Sequence, residues 1–243
     1  MRPEEPERLP TSIGGLFGSA LGLYARRIAL YAALAGIALA VQFVAGVVLP
    51  HTEGSGQALA VIVDAYLVAA VTIGVAGDVE RNDAGWRAVL AAASERWGVV
   101  AIAGFVYFVA VYVLVRGVYG TPEETAYGLL IPPIITFWGA VSLAQVVAAI
   151  EPAKSRLMLP LISLGKALSV ALRRANLGRL ILLSVILTIP TLLQSTLYGA
   201  LSERHVRDAF FWANVPFDAI LGGPLQAIST LFYLDFVRRA ARR

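Results

Sequence analysis

Six stretches of about 20 residues run almost without charge along this chain, and nothing in the sequence constrains its fold more. They lie near Ile28 to Leu49, Ala58 to Gly77, Val99 to Val118, Tyr127 to Ile150, Leu180 to Leu201 and Val215 to Val237. Crossing roughly 30 Å of hydrocarbon at about 1.5 Å per residue takes a helix of about 20 residues, so each stretch is long enough. With 58% apolar and 15% charged residues and a mean hydropathy of +0.73, the chain is too oily for an ordinary soluble domain. A β-barrel needs short alternating strands between frequent turns, and these runs do not alternate. The sequence therefore predicts an all-α integral membrane protein with six transmembrane helices.

The basic residues are distributed unevenly between the connections. Arg2, Arg8, Arg26 and Arg27 precede the first stretch, and Arg81, Arg87 and Arg96 lie between the second and third. Lys154, Arg156, Lys166, Arg173, Arg174 and Arg179 lie between the fourth and fifth, and Arg238, Arg239, Arg242 and Arg243 follow the sixth. Only Arg116, Arg204 and Arg207 fall on the opposite side. By the positive-inside rule both termini are cytoplasmic, which requires an even number of spans, and a prokaryotic cytoplasmic membrane is the expected location. The pI near 9.6 is then the charge of an inner membrane face and implies no nucleic-acid partner.

Three amphipathic segments precede the outward-going spans. The first places Ile13, Leu16, Phe17, Ala20, Leu21 and Tyr24 at helical spacing, with Thr11 or Ser12 as cap. The second carries Trp86, Val89, Leu90, Ala93 and Trp97 on one side, with Asp83 as cap. In the third, from about Ile162 to Arg174, Leu164, Leu168, Ala171 and Leu172 face inward and Lys166 and Arg173 outward. Ala20-Leu21, Val89-Leu90 and Ala167-Leu168 are each followed by arginine six residues past the leucine, at Arg27, Arg96 and Arg174. This repetition predicts three cytoplasmic interfacial amphipathic helices in a pseudo-threefold parallel repeat, over about 11–77, 84–150 and 160–240 of a single membrane domain, 11–243. Residues 1–10, proline-rich and acidic, are expected to be a disordered cytoplasmic tail and not a signal peptide. Arg26, Arg27, Arg96, Lys166, Arg173 and Arg174 are the candidate contacts to anionic lipid headgroups.

Polar residues inside the spans are the remaining candidates for activity. Asp64, six residues into the second span, suits a proton or cation site, or an ion pair with Arg116. Asp218 has Arg204 and Arg207 as candidate partners, and Asp235 precedes Arg238 and Arg239 by three and four residues, the spacing of a helical ion pair. Gln42, Gln145, Gln194 and Gln226 are spread over four spans and suit interhelical hydrogen bonds or a polar interior. Pro132-Pro133, Pro190 and Gly222-Gly223-Pro224 are expected to kink their helices.

The sequence holds no cysteine, which removes disulfides and thiolate chemistry, and its two histidines, His51 and His205, fall in loops away from any haem-ligating position within a span. It contains no phosphate-binding glycine loop, no His-Glu-x-x-His helix and no Gly-x-Ser-x-Gly elbow. Glu123-Glu124 reads as solvated loop charge. No catalytic residue, cofactor or metal is assigned, and the chain is expected not to be an enzyme.

The opening Thr11 to Phe17 with Tyr24-Ala25-Arg26-Arg27, and above all the ending Gly223-Pro224-Leu225-Gln226-Ala227-Ile228 through Leu231 to Arg238, resemble a largely prokaryotic family. It is the six-helix family related to the membrane domain of glycerophosphoryl diester phosphodiesterases. The resemblance covers nearly the whole chain and departs at Glu151-Pro152, with Lys166 and Ala167 where such proteins continue into a Ser- and Arg-containing helix. It implies six helices with interfacial helices. It implies no catalysis, because that family's chemistry resides in a separate soluble barrel.

These readings converge on a non-catalytic, lipid-organising scaffold, or an accessory subunit of a membrane complex, whose partners are anionic membrane lipids. The alternative is a small transporter or channel using Asp64 and the intramembrane glutamines. Many carriers use inverted repeats, and the parallel repeat argues against that mechanism.

Overall fold

The computed structural model describes residues 9–10, 12–48, 55–80, 85–119, 139–140, 142–151, 159–204 and 218–241. Among them every regular element is helical. These are α1 (Ile13–Arg26), α2 (Ile28–Val48), α3 (Ser55–Val79), α4 (Trp86–Tyr119), α5 (142–150), α6 (Leu159–Ala171), α7 (Leu177–Glu203) and α8 (Gly223–Ala241). A π-helical turn, Asp218–Gly222, leads into α8. Pro224 has no N–H to give Ile220 in an α register, so the turn before it widens. Pro190, expected as a kink, lies within the continuous helix α7.

Among the described residues, three helical segments are long and apolar enough to cross a bilayer: Ile62–Val79, Trp86–Val106 and Ile220–Ala241. A fourth candidate is the pair α1 and α2 taken together, which is bent by 78°. Most of the predicted fourth span, together with residues 1–8, His51, Glu123-Glu124 and Pro132-Pro133, lies outside the described residues.

Ser12 caps α1, its Oγ accepting from the Gly15 amide at 3.1 Å. The helix ends at Arg27, which has a non-helical φ of −119°. From there α1 packs antiparallel along α8. Phe17 meets Phe232 edge to face at 6.0 Å, while Tyr24, stacked on Tyr31, lies against Gly223. The first amphipathic segment is therefore docked into the protein: Leu16, Ala20, Leu23 and Tyr24 are buried, and Ile13 and Leu21, expected on the same inward face, are exposed.

The second segment differs more from expectation, because it is not a separate helix. Trp86 to Trp97 continues without a break into the following span as the 34-residue α4. No proline or capping residue interrupts Glu95 to Val100, and one glycine, Gly98, does not stop a helix that is packed along its length. That packing is against α3, through Ala65, Ala69, Val89, Ala93 and Val100, small side chains that let the two backbones approach closely. Tyr66 adds a hydroxyl donated to the Leu90 carbonyl at 3.1 Å. The third segment, α6, is a distinct helix, and a break over 172–176 separates it from α7. Leu172, expected to face inward, is exposed.

The larger core joins α1, the first half of α2, the second half of α3, α5, α6, the start of α7 and α8, with Tyr31, Leu143, Leu180, Leu183, Phe232 and Phe236 at its centre. Outside it, Ile37, Phe43, Ile102, Phe105, Ile189 and Leu193 are exposed on the long helices. A water-soluble surface does not tolerate so much contiguous apolar area.

Gly223 is where α1 comes closest to α8. A β-carbon there would sit 2.5 Å from the Tyr24 ring, which is buried and cannot move aside. Gly223→Ala is expected to lower stability by about 1–3 kcal/mol in detergent unfolding, whereas Gly18→Ala, which meets nothing within 4 Å, gains up to about 1 kcal/mol of helix propensity. Equal effects from the two substitutions would overturn this account of the contact.

Candidate functional site

The ionised side chains with described partners gather at one end of the bundle, where three arginines each reach across to the end of a later helix. Arg27, at the α1–α2 bend, grips Asp78 at the end of α3 with two bonds, Nε to Oδ2 at 3.0 Å and Nη2 to Oδ1 at 2.5 Å. Arg96 donates to the Glu151 carbonyl just past α5 at 2.8 Å. Arg179, in the first turn of α7, donates to Asp235 near the end of α8 at 2.6 Å. The partners are 51, 55 and 56 residues apart in the chain, so each pairing is long-range.

Around these contacts the layer is cross-linked further. The Glu151 carboxylate accepts from Lys166 of α6 at 2.6 Å and from the Tyr233 hydroxyl of α8 at 3.2 Å. Asp235 accepts from Arg239 at 2.8 Å as well as from Arg179. Asn176, buried in the α6–α7 break, donates its side-chain amide to the carbonyls of Val170 and Phe236, at 2.9 and 3.3 Å. Arg173 donates to the Ala240 carbonyl at 3.1 Å. Deeper in the bundle, Gln226 donates to the Thr72 hydroxyl at 2.7 Å, and Thr230 lies beside them, tying α8 to α3. Thr72 and Thr230 are fully buried, so this polar contact is filled by the protein's own side chains.

The sequence-predicted residues divide between these places. Of the headgroup candidates, Arg27 is largely enclosed with Asp78, Arg96 is held at Glu151, and Lys166 is paired with the same residue. Arg26, Arg173 and Arg174 remain exposed. Asp64 is half-buried on α3 and has an interaction partner, while Gln145 is half-buried on α5. Gln42, Gln194, Asp218 and Arg116 lie on helical segments, with side chains outside the described set. Arg204 is exposed just past α7, and Arg207 lies outside the described residues.

Sequence reasoning found the Asp235–Arg239 pair and missed its stronger member, Arg179. It also passed over Asp78, although one signal was available: Asp78, Glu151 and Asp235 each stand at or near the C-terminal end of an apolar run. Among the described residues no group of His, Asp and Glu is placed to hold a metal ion. No family model, curated protein or solved structure matches the chain.

Proposed function

We propose that the chain is a six-span protein of a prokaryotic cytoplasmic membrane, built as three parallel two-helix repeats with both termini cytoplasmic. It acts without catalysis, as a lipid-organising scaffold or as the accessory subunit of a membrane complex. The observation that carries this reading is the clasp repeated three times, Arg27 to Asp78, Arg96 to Glu151 and Arg179 to Asp235. In each case an arginine entering the first span of a repeat fixes the inner end of the second. Charge at this end ties helices together, and the exposed apolar side chains of α2, α4 and α7 give the bundle a lipid-facing surface. The resemblance to the six-helix family related to the phosphodiesterase membrane domain supports the same plan.

The test is extraction of the tagged full chain in discs of its native membrane, followed by lipid and protein mass spectrometry. Anionic lipid enriched over the surrounding membrane, or a membrane protein at fixed stoichiometry, is the expected result. Proton or cation flux through liposomes containing the chain, abolished by Asp64→Asn, would replace this function with a transporter's.

A further inference from the structure

The break between α6 and α7 forms a rigid basic corner against the end of α8. The Arg173 bond to the Ala240 carbonyl puts Arg173 and Arg174 beside the last turn of α8, which carries Arg238 and Arg239, while Arg179 approaches from α7. Five arginines, Arg173, Arg174, Arg179, Arg238 and Arg239, therefore lie on the segments that meet here, and Asp235 is shared by two of them, Arg179 and Arg239. The local excess of positive charge is equal to that of the whole chain, +4. Arg174 and Arg238 have no ion pair among the described residues. Asn176 holds the break against α8 through its bonds to Val170 and Phe236, so the backbone that carries Arg173 and Arg174 is positioned before any anion arrives.

Apolar side chains of the same segment are turned outward. Leu161 and Ile162, in the first turn of α6, are 67% and 53% exposed, and Leu172, just past its end and beside Arg173, is 46% exposed. Exposed cations and exposed aliphatic side chains on one segment match a molecule that is anionic at one end and aliphatic at the other. A soluble polyanion or an RNA would use the arginines and leave the leucines in water.

We infer that this corner binds the headgroup of an anionic phospholipid. Arg173, Arg174 and Arg238 engage the phosphate, and Leu161, Ile162 and Leu172 lie along its acyl chains. The inference rests on the membrane reading above.

The full chain is placed in nanodiscs of mixed phosphatidylglycerol and phosphatidylcholine, and the lipid retained on release is measured by native mass spectrometry. Wild type is expected to prefer phosphatidylglycerol by about tenfold, the scale set by a few basic residues at a membrane surface after screening. The triple substitution Arg173→Gln, Arg174→Gln and Arg238→Gln should bring that preference close to parity, while the same three positions changed to Lys keep most of it. Arg87→Gln, away from the corner, should leave it unchanged. A glutamine triple variant that melts like wild type and still prefers phosphatidylglycerol would overturn the inference, as would displacement of the lipid by an RNA oligonucleotide at equal concentration. A chain that fails to float with the vesicles at all would instead overturn the membrane reading.

Discussion

Replacing Asp78 by alanine is expected to cost about 3–5 kcal/mol of stability, because it removes a buried carboxylate that the enclosed Arg27 guanidinium grips with two bonds. The side chains of Arg27 and Asp78 are only 14% and 6% exposed, so water cannot take over the lost bonds. The experiment is unfolding of the purified chain in mixed micelles, comparing Asp78→Ala, Arg27→Met and the double variant Arg27→Met/Asp78→Leu. The double variant should recover most of the loss, since an apolar pair of similar volume carries no desolvation penalty. A loss below about 1 kcal/mol for Asp78→Ala would mean that Arg27 reaches solvent, as an exposed pair would.

Asp235→Ala is expected to be nearly as damaging, at about 3 kcal/mol, since it removes the buried carboxylate that binds Arg179, whose side chain is 12% exposed. The two arginines on this carboxylate should not be equivalent. Arg239 is about one-third exposed and pairs within its own helix, so Arg239→Ala should cost at most about 1 kcal/mol. Arg179→Ala, which breaks the bond between α7 and α8, should approach the effect of Asp235→Ala. Equal small losses from both arginines would remove Arg179 from the set of clasps.

That contrast marks where the sequence was legible. The Asp235–Arg239 contact follows from a spacing of four residues in one helix, which needs no knowledge of the fold. The Arg179 contact needs α7 and α8 to be placed side by side in one register, 56 residues apart in the chain, and no local pattern carries that information. The helices themselves were legible because continuous apolar runs leave few alternatives. Their joints were less so. Arg26-Arg27 and Glu95-Arg96 occupy matching positions, yet the chain bends by 78° at Arg27 and passes straight through Arg96. The difference lies in tertiary partners: Arg27 is held sideways by Asp78, while the segment around Arg96 is packed lengthwise on α3. The exposed and internal arginines could not be told apart for the same reason, since Arg27, Arg96 and Arg174 look alike as letters.

The docking of α1 along α8 has a consequence for biogenesis. The Arg27–Asp78 and Arg179–Asp235 contacts can each close as soon as the next pair of helices leaves the ribosome. The seat for Leu16, Phe17, Ala20 and Tyr24 does not exist until the final helix is inserted, because Phe232 and Gly223 form part of it. Through most of synthesis this first helix is an orphan with an uncovered apolar stripe. Its burial waits for α8, and a nascent chain halted before α8 would display that stripe to the proteases that clear unfinished membrane proteins.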